Sequence, residues 1–203
     1  MSEGEKSDKK IYTFLAHAVT YATTPAIVGG FLLFYTLYIF SPNEKLFLET
    51  FGAICFFSII MPVLFTFYLM RKEKVGNFHM KEREERTIPF AFAMAVSAIS
   101  LLAVKLLGTN HEFFRIVLTF YLMGLGYVII NILRFKLSGH IFVFTASLLI
   151  LTFFVDVRFV FLAPLIILIG WSRGRLKEHT FGEVAGSLAY SLVSFIIFSF
   201  LFQ

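Results

Sequence analysis

His179 and Glu183 stand four residues apart in the stretch "SRGRLKEHTFGE" (172–183), a spacing that sets an imidazole and a carboxylate on one face of a helical turn. Such a pair can do three things. The acid can orient the ring and fix its tautomer, the two can cap a helix start, or they can share a metal. No third or fourth ligand beyond His140 stands out, so neither a metal nor another cofactor is expected. The same stretch carries Arg173, and two further polar interruptions supply Arg83 and Arg86, then Ser138, Gly139 and His140. Guanidinium groups grip phosphate oxygens through paired donors and keep their charge beside apolar surroundings. A Ser-Gly pair at a helix start adds backbone N–H groups aimed at the same anion. Together these types describe phosphate-ester hydrolysis by an imidazole nucleophile, with arginines on the equatorial oxygens and a second histidine protonating the leaving alcohol.

The elements that must position these residues are apolar. The chain is 58% hydrophobic and 15% charged, with 28 Phe in 203 residues and a mean hydropathy of +0.82. An ordinary soluble domain is about a quarter charged. The charges gather in short clusters between apolar runs that approach the roughly 20 residues needed to cross a bilayer. This composition predicts an all-α, polytopic transmembrane helix bundle, since irregular backbone cannot face lipid. Residues 11–40 would reach about 45 Å as one helix, and Pro25, Gly29 and Gly30 interrupt them. The reading is therefore an N-terminal tail and interfacial helix over 1–22, then a transmembrane domain over 23–203. Spans are expected over about 23–40, 46–70, 88–108 and 113–135. A hairpin over about 139–172 turns at "VDVR" (155–158) with two short helices, and a last span covers about 183–202, giving six or seven crossings.

Alternate loops lie on one side of a membrane, so 71–87, 134–140 and 172–183 should share a face and form one active site there. Of the 18 Lys and Arg, only Lys45, Lys105, Arg115 and Arg158 fall on the other side. The positive-inside rule then favours a cytoplasmic site over one on the outer face, in a plasma membrane of bacterial type. The net charge of +5 is explained by the same rule, and nucleic acid is not an expected partner. The lone Cys55 lies inside an apolar run and carries no information about redox compartment.

"LSGH" (137–140) and, about 40 residues on, Ser172-Arg173, five residues, His179, three residues and Glu183 resemble the second and third signatures of the type 2 phosphatidic acid phosphatase superfamily, which also contains the vanadium haloperoxidases. The resemblance covers roughly residues 81–190. It implies that His179 is the phosphohistidine nucleophile, Glu183 its orienting acid and His140 the general acid, with Ser138, Gly139 and Arg173 as phosphate ligands. Gly186 resembles the small residue that follows the acid. Three departures stand out: Glu183 replaces the usual Asp, Leu137 replaces Pro, and "KEREERTIP" (81–89) replaces a first signature of Lys, six residues and Arg-Pro. There His79 holds the lysine position relative to Arg86, and either Arg83 or Lys81 takes the lysine role.

The expected substrate is a lipid phosphate: phosphatidate, phosphatidylglycerophosphate, or a polyprenyl phosphate or diphosphate. A lipid phosphotransferase would use the same residues. A non-catalytic membrane protein binding or transporting an anionic lipid would need only the basic cleft. His17 and His111 read as bystanders, Asp156 and Arg158 as a pair that neutralises itself or reaches headgroups at the hairpin turn, and the Phe residues as lipid-facing or packing. Oligomeric state is not legible.

Overall fold

Where the sequence places apolar runs, the chain folds into helices. The computed structural model describes residues 3–76, 83–133 and 135–201, and among these no strand occurs. Six helical segments are long and apolar enough to cross a bilayer: Lys10–Phe40, Glu44–Arg71, Thr87–Leu106, His111–Ile132, Val157–Arg175 and Phe181–Phe200. A shorter apolar helix spans Gly139–Phe154. Well under half of each long window is buried against protein, and residues such as Tyr38, Leu106, Phe161 and Ile167 lie exposed. So much apolar surface is not stable in water; lipid is the solvent that fits it. The chain is an integral membrane protein.

The described residues fall into two compact units, Met1–Leu33 with Arg134–Leu201, and Phe34–Leu133. The second contains the helices between Glu44 and Ile132. Asn43 accepts the Leu46 N–H at 2.9 Å and starts α3 (Glu44–Cys55), which runs through a π-helical segment, Phe56–Ile60, into α4 (Met61–Arg71). Pro62 lacks an N–H and its ring presses on the preceding turn, and a wider turn just before it relieves the clash. The α4 terminus closes with Glu73 in the left-handed region, its N–H on Met70 O and the Lys74 N–H on Leu69 O. In α5 (Arg83–Leu106) the helix begins ahead of the apolar run and passes through Pro89. Gly108, at φ +68°, ends it, and Asn110 caps α6 (His111–Ile132) by accepting the Glu112 N–H at 2.7 Å.

The first unit contains α1 (Glu3–Ala22), the start of α2 (Pro25–Phe40), α7 (Gly139–Phe154), a 3-10 turn (Val157–Leu162), α8 (Leu165–Arg175) and α9 (Phe181–Phe200). Pro25 makes the expected break: Thr23 and Thr24 leave the helix and Pro25 opens α2, where its missing N–H is not needed. The helix read over residues 1–22 is α1, which packs on α8 with Ala16 fully buried. The hairpin arms are less regular than two plain helices, because Pro164 splits the second arm into the 3-10 turn and α8. Its tip is held as expected: Arg158 grips Asp156 through two guanidinium nitrogens, and the pair holds the Asp156 carboxyl down at about 2. Helix α7 is about 24 Å long at 1.5 Å per residue, short of a bilayer core. It is enclosed by α8, α9 and the 3-10 turn, which bury Ile141, Ala146, Ile150 and Leu151.

Candidate active site

The stretch between α8 and α9 is shaped by one helix ending and the next beginning. At the end of α8, Leu176 is the cap, and Lys177 adopts φ +56°. The Lys177 N–H bonds Gly174 O at 3.0 Å and the Glu178 N–H bonds Arg173 O at 3.1 Å. This is the paired bonding of a left-handed helix stop, with lysine in the place that glycine usually fills. The reversal folds the chain back on its own last turn, so that the His179 N–H also reaches Arg173 O, at 3.4 Å.

Helix α9 then starts with a capping box. Thr180 Oγ1 accepts the Glu183 N–H at 3.3 Å, and Glu183 Oε2 accepts the Thr180 N–H at 3.2 Å. The same Oε2 lies 2.8 Å from His179 Nδ1. Two of the readings open for this pair therefore hold at once: Glu183 caps the helix and orients the ring. A reciprocal capping box needs the reach of Glu or Gln at this position, which gives a physical reason for Glu183.

His179 is enclosed, its side chain 6% exposed. Burial pushes its pKa below the ordinary 6.5, the bond to Glu183 pulls it up, and the charges of Arg173 and Lys136 push it down. A neutral ring whose Nδ1–H donates a hydrogen bond to Glu183 keeps a lone pair on Nε2. That is the atom the arrangement can offer to an electrophile.

Two cations border the ring. The Arg173 side chain, 7% exposed, pairs with Glu178. Lys136 Nζ lies 3.7 Å from Glu183 Oε2 and donates to Glu178 O at 3.0 Å. Thr20 Oγ1 meets Ser172 Oγ at 3.2 Å, and Ser172 donates onward to Ile169 O at 2.8 Å, fixing the last turn of α8 on α1.

The N-terminal end of α7 is tied to this loop. Ser138 donates its N–H to Ser187 Oγ at 2.7 Å, and Ser187 donates to Glu183 O at 2.6 Å. The Ser138 N–H thus points into α9, which leaves the first-turn N–H groups, beginning at Gly139, as the donors of that helix end. Ser138 Oγ is fully buried and has no hydrogen-bond partner among the described residues. His140 sits half-buried on the first turn of α7, two residues on. Gly186 faces Leu137, where a Cβ would meet the leucine at 3.5 Å, an ordinary contact.

Ser138, Gly139, His140, Arg173, His179 and Glu183 accordingly gather at one end of the first unit, opposite the Asp156 turn. Arg83 and Arg86 begin α5 in the other unit; their side chains, like Lys81 and His79 entirely, lie outside the described residues. Among the described residues no group of three metal-ligating side chains forms. His17 stacks on Tyr21 at 6.2 Å and His111 opens α6. Sequence reasoning missed Lys136, Glu178 and Ser187. Lys136 adjoins "LSGH" and could have been found as a flanking charge; the other two carry no local signal. Compared with known protein families, curated proteins and solved structures, the chain matches none.

Proposed function

We propose that the chain is a metal-independent lipid phosphate phosphatase of the type 2 phosphatidic acid phosphatase kind, working through a phosphohistidine. One observation carries the reading: a buried imidazole whose Nδ1 is held by Glu183 at 2.8 Å, next to a buried arginine. His179 Nε2 attacks phosphorus, and the ester P–O bond breaks as His140 gives the departing alkoxide its proton. Glu183 stabilises the imidazolium character that develops on His179. His140 then takes a proton from water, which cleaves the P–N bond and returns inorganic phosphate. Arg173, the first turn of α7 and the Ser138 hydroxyl hold the non-bridging oxygens. Arg83 and Arg86 complete the phosphate ligands in this proposal, and the site opens to the cytoplasmic face of a plasma membrane. The substrate is a phosphomonoester or diphosphate of a lipid, whose tail stays in hydrocarbon while its head meets charges at the edge.

The experiment is a phosphate-release panel over phosphatidate, phosphatidylglycerophosphate and polyprenyl phosphates in detergent without added metal. Release that is blocked by vanadate and lost in His179→Ala supports the reading. Headgroup binding without release leaves a non-catalytic lipid-binding protein, and transfer to an added alcohol in place of water leaves a phosphotransferase.

A further inference from the structure

Arg173 is nearly enclosed, and an arginine cannot shed its charge when it is buried. A guanidinium in that position needs an anion beside it. The chain supplies one itself, the carboxylate of Glu178.

Glu178 is built to leave. Its backbone is pinned on both sides, the N–H on Arg173 O at 3.1 Å and the carbonyl under Lys136 Nζ at 3.0 Å. Its side chain is 46% exposed, against 7% for the arginine it meets. Rotation about its own bonds takes the carboxylate into solvent while the loop, Arg173 and His179 stay in place. Glu183 differs in this respect, since it is held by the His179 ring, the Thr180 N–H and the nearby Lys136.

Resting on the reading of Arg173 as a phosphate ligand, we propose that Glu178 is an internal competitor at the site, an anion on Arg173 that a phosphate group must displace in order to bind. A singly charged phosphodiester would replace one monoanion by another, gain no Coulomb energy at Arg173, and feel the released carboxylate close by. A phosphomonoester, or the terminal group of a diphosphate, brings a second charge. It also brings enough terminal oxygens to occupy the guanidinium fork and reach Lys136. Glu178 thereby sets the affinity that an anion must exceed to occupy Arg173.

The test is calorimetric titration of the full-length protein in detergent, at mildly alkaline pH, with inorganic phosphate and with dimethyl phosphate, a singly charged diester. Glu178→Gln is expected to tighten both, by about three- to tenfold for a partly exposed ion pair, with the factor for inorganic phosphate at least as large, because the displaced carboxylate repels a dianion more than a monoanion. Glu178→Ser, which removes the carboxylate in a different way, should move in the same direction. Unchanged affinities in both variants overturn the inference; if lipid phosphate hydrolysis is intact in the same preparations, it falls alone. If no form binds phosphate, the inference and the phosphatase reading fall together. Tighter binding in the variants of a protein that hydrolyses nothing supports the inference and removes the reading.

Discussion

Ser187 Oγ accepts the Ser138 N–H at 2.7 Å, joining two residues 49 apart in the chain, the cap of α7 and the second turn of α9. Because Ser187 also donates to Glu183 O at 2.6 Å, one hydroxyl links the loop before His140 to the turn that orients His179. Replacing it with alanine strands a fully buried N–H, a loss of about 1–3 kcal/mol. Ser187→Ala should therefore lower the melting temperature in detergent and reduce turnover more than it weakens substrate binding, since it loosens the register of the two imidazoles. A variant that melts and turns over like the parent would show that the link is incidental.

Burial holds the His179 pKa below 6.5, with Arg173 and Lys136 pushing in the same direction and Glu183 opposing them. In the proposed mechanism the nucleophile must be neutral, so activity would rise as pH climbs through this lowered value, and the acid limb of kcat/KM should lie below pH 6.5. Lys136→Gln removes one of the downward pushes, and the limb should move to higher pH. Stability follows the same linkage. Between the folded value and 6.5 the unfolded chain binds more protons than the folded one, so stability falls as pH drops through that window. A limb that moves to lower pH in Lys136→Gln would contradict the assignment of charge around the ring.

Lys177 holds φ +56° at the end of α8, a conformation that strains an L residue by about 1–2 kcal/mol and glycine hardly at all. Lys177→Gly should raise the unfolding free energy by about 1 kcal/mol while preserving the bonds of the Lys177 and Glu178 N–H groups to α8. Thermal melts in detergent measure it. The result does not depend on any assigned activity, and a destabilised glycine variant would mean that the lysine side chain contributes more than its backbone strain removes.

The parts of this protein that are legible in the sequence are those governed by local chemistry. Pro25 breaks the first long apolar run where it stands, and Asp156 with Arg158 closes the hairpin tip. His179 and Glu183 meet as their spacing suggests, but not on a helical face: His179 precedes the Thr180 cap, and the capping box brings the Glu183 carboxylate back to the ring. The start of α5 at Arg83 was less visible, since its first turn is polar while the hydrophobic signal begins later. Glu178 on Arg173 was hidden for another reason. The two meet across a left-handed turn, five residues apart, a spacing no helix periodicity brings together. Gly174 offered a glycine for that turn, yet it lies inside α8 and Lys177 makes the reversal. The contact from Ser138 to Ser187 is long-range, and no local pattern encodes it.

The side of the membrane is set in this reading by the basic residues that flank the site loops. Asn77→Cys in a Cys55→Ser background places one thiol in the loop 71–87. If the site faces the cytoplasm, a membrane-impermeant maleimide should label inverted vesicles and leave intact cells unlabelled. Labelling of intact cells alone would reverse the orientation while leaving the chemistry untouched.

Glu183 performs two tasks that a pair of substitutions separates. Glu183→Gln keeps an amide oxygen that can accept the Thr180 N–H, so the capping box survives and stability should change little. The same amide oxygen can also accept from His179 Nδ1, but it lacks the negative charge that, in the proposed mechanism, stabilises the imidazolium as the P–N bond forms. Turnover should fall by at least about 10²-fold, with binding of substrate nearly unchanged. Glu183→Asp makes the opposite exchange. The charge remains, but a side chain one methylene shorter cannot hold both the ring and the Thr180 N–H, and losing the cap costs about 1 kcal/mol. The aspartate variant should therefore melt earlier while keeping more activity than the glutamine one. Equal turnover in the parent and Glu183→Gln would reduce Glu183 to a helix cap and remove the orienting acid from the proposed mechanism.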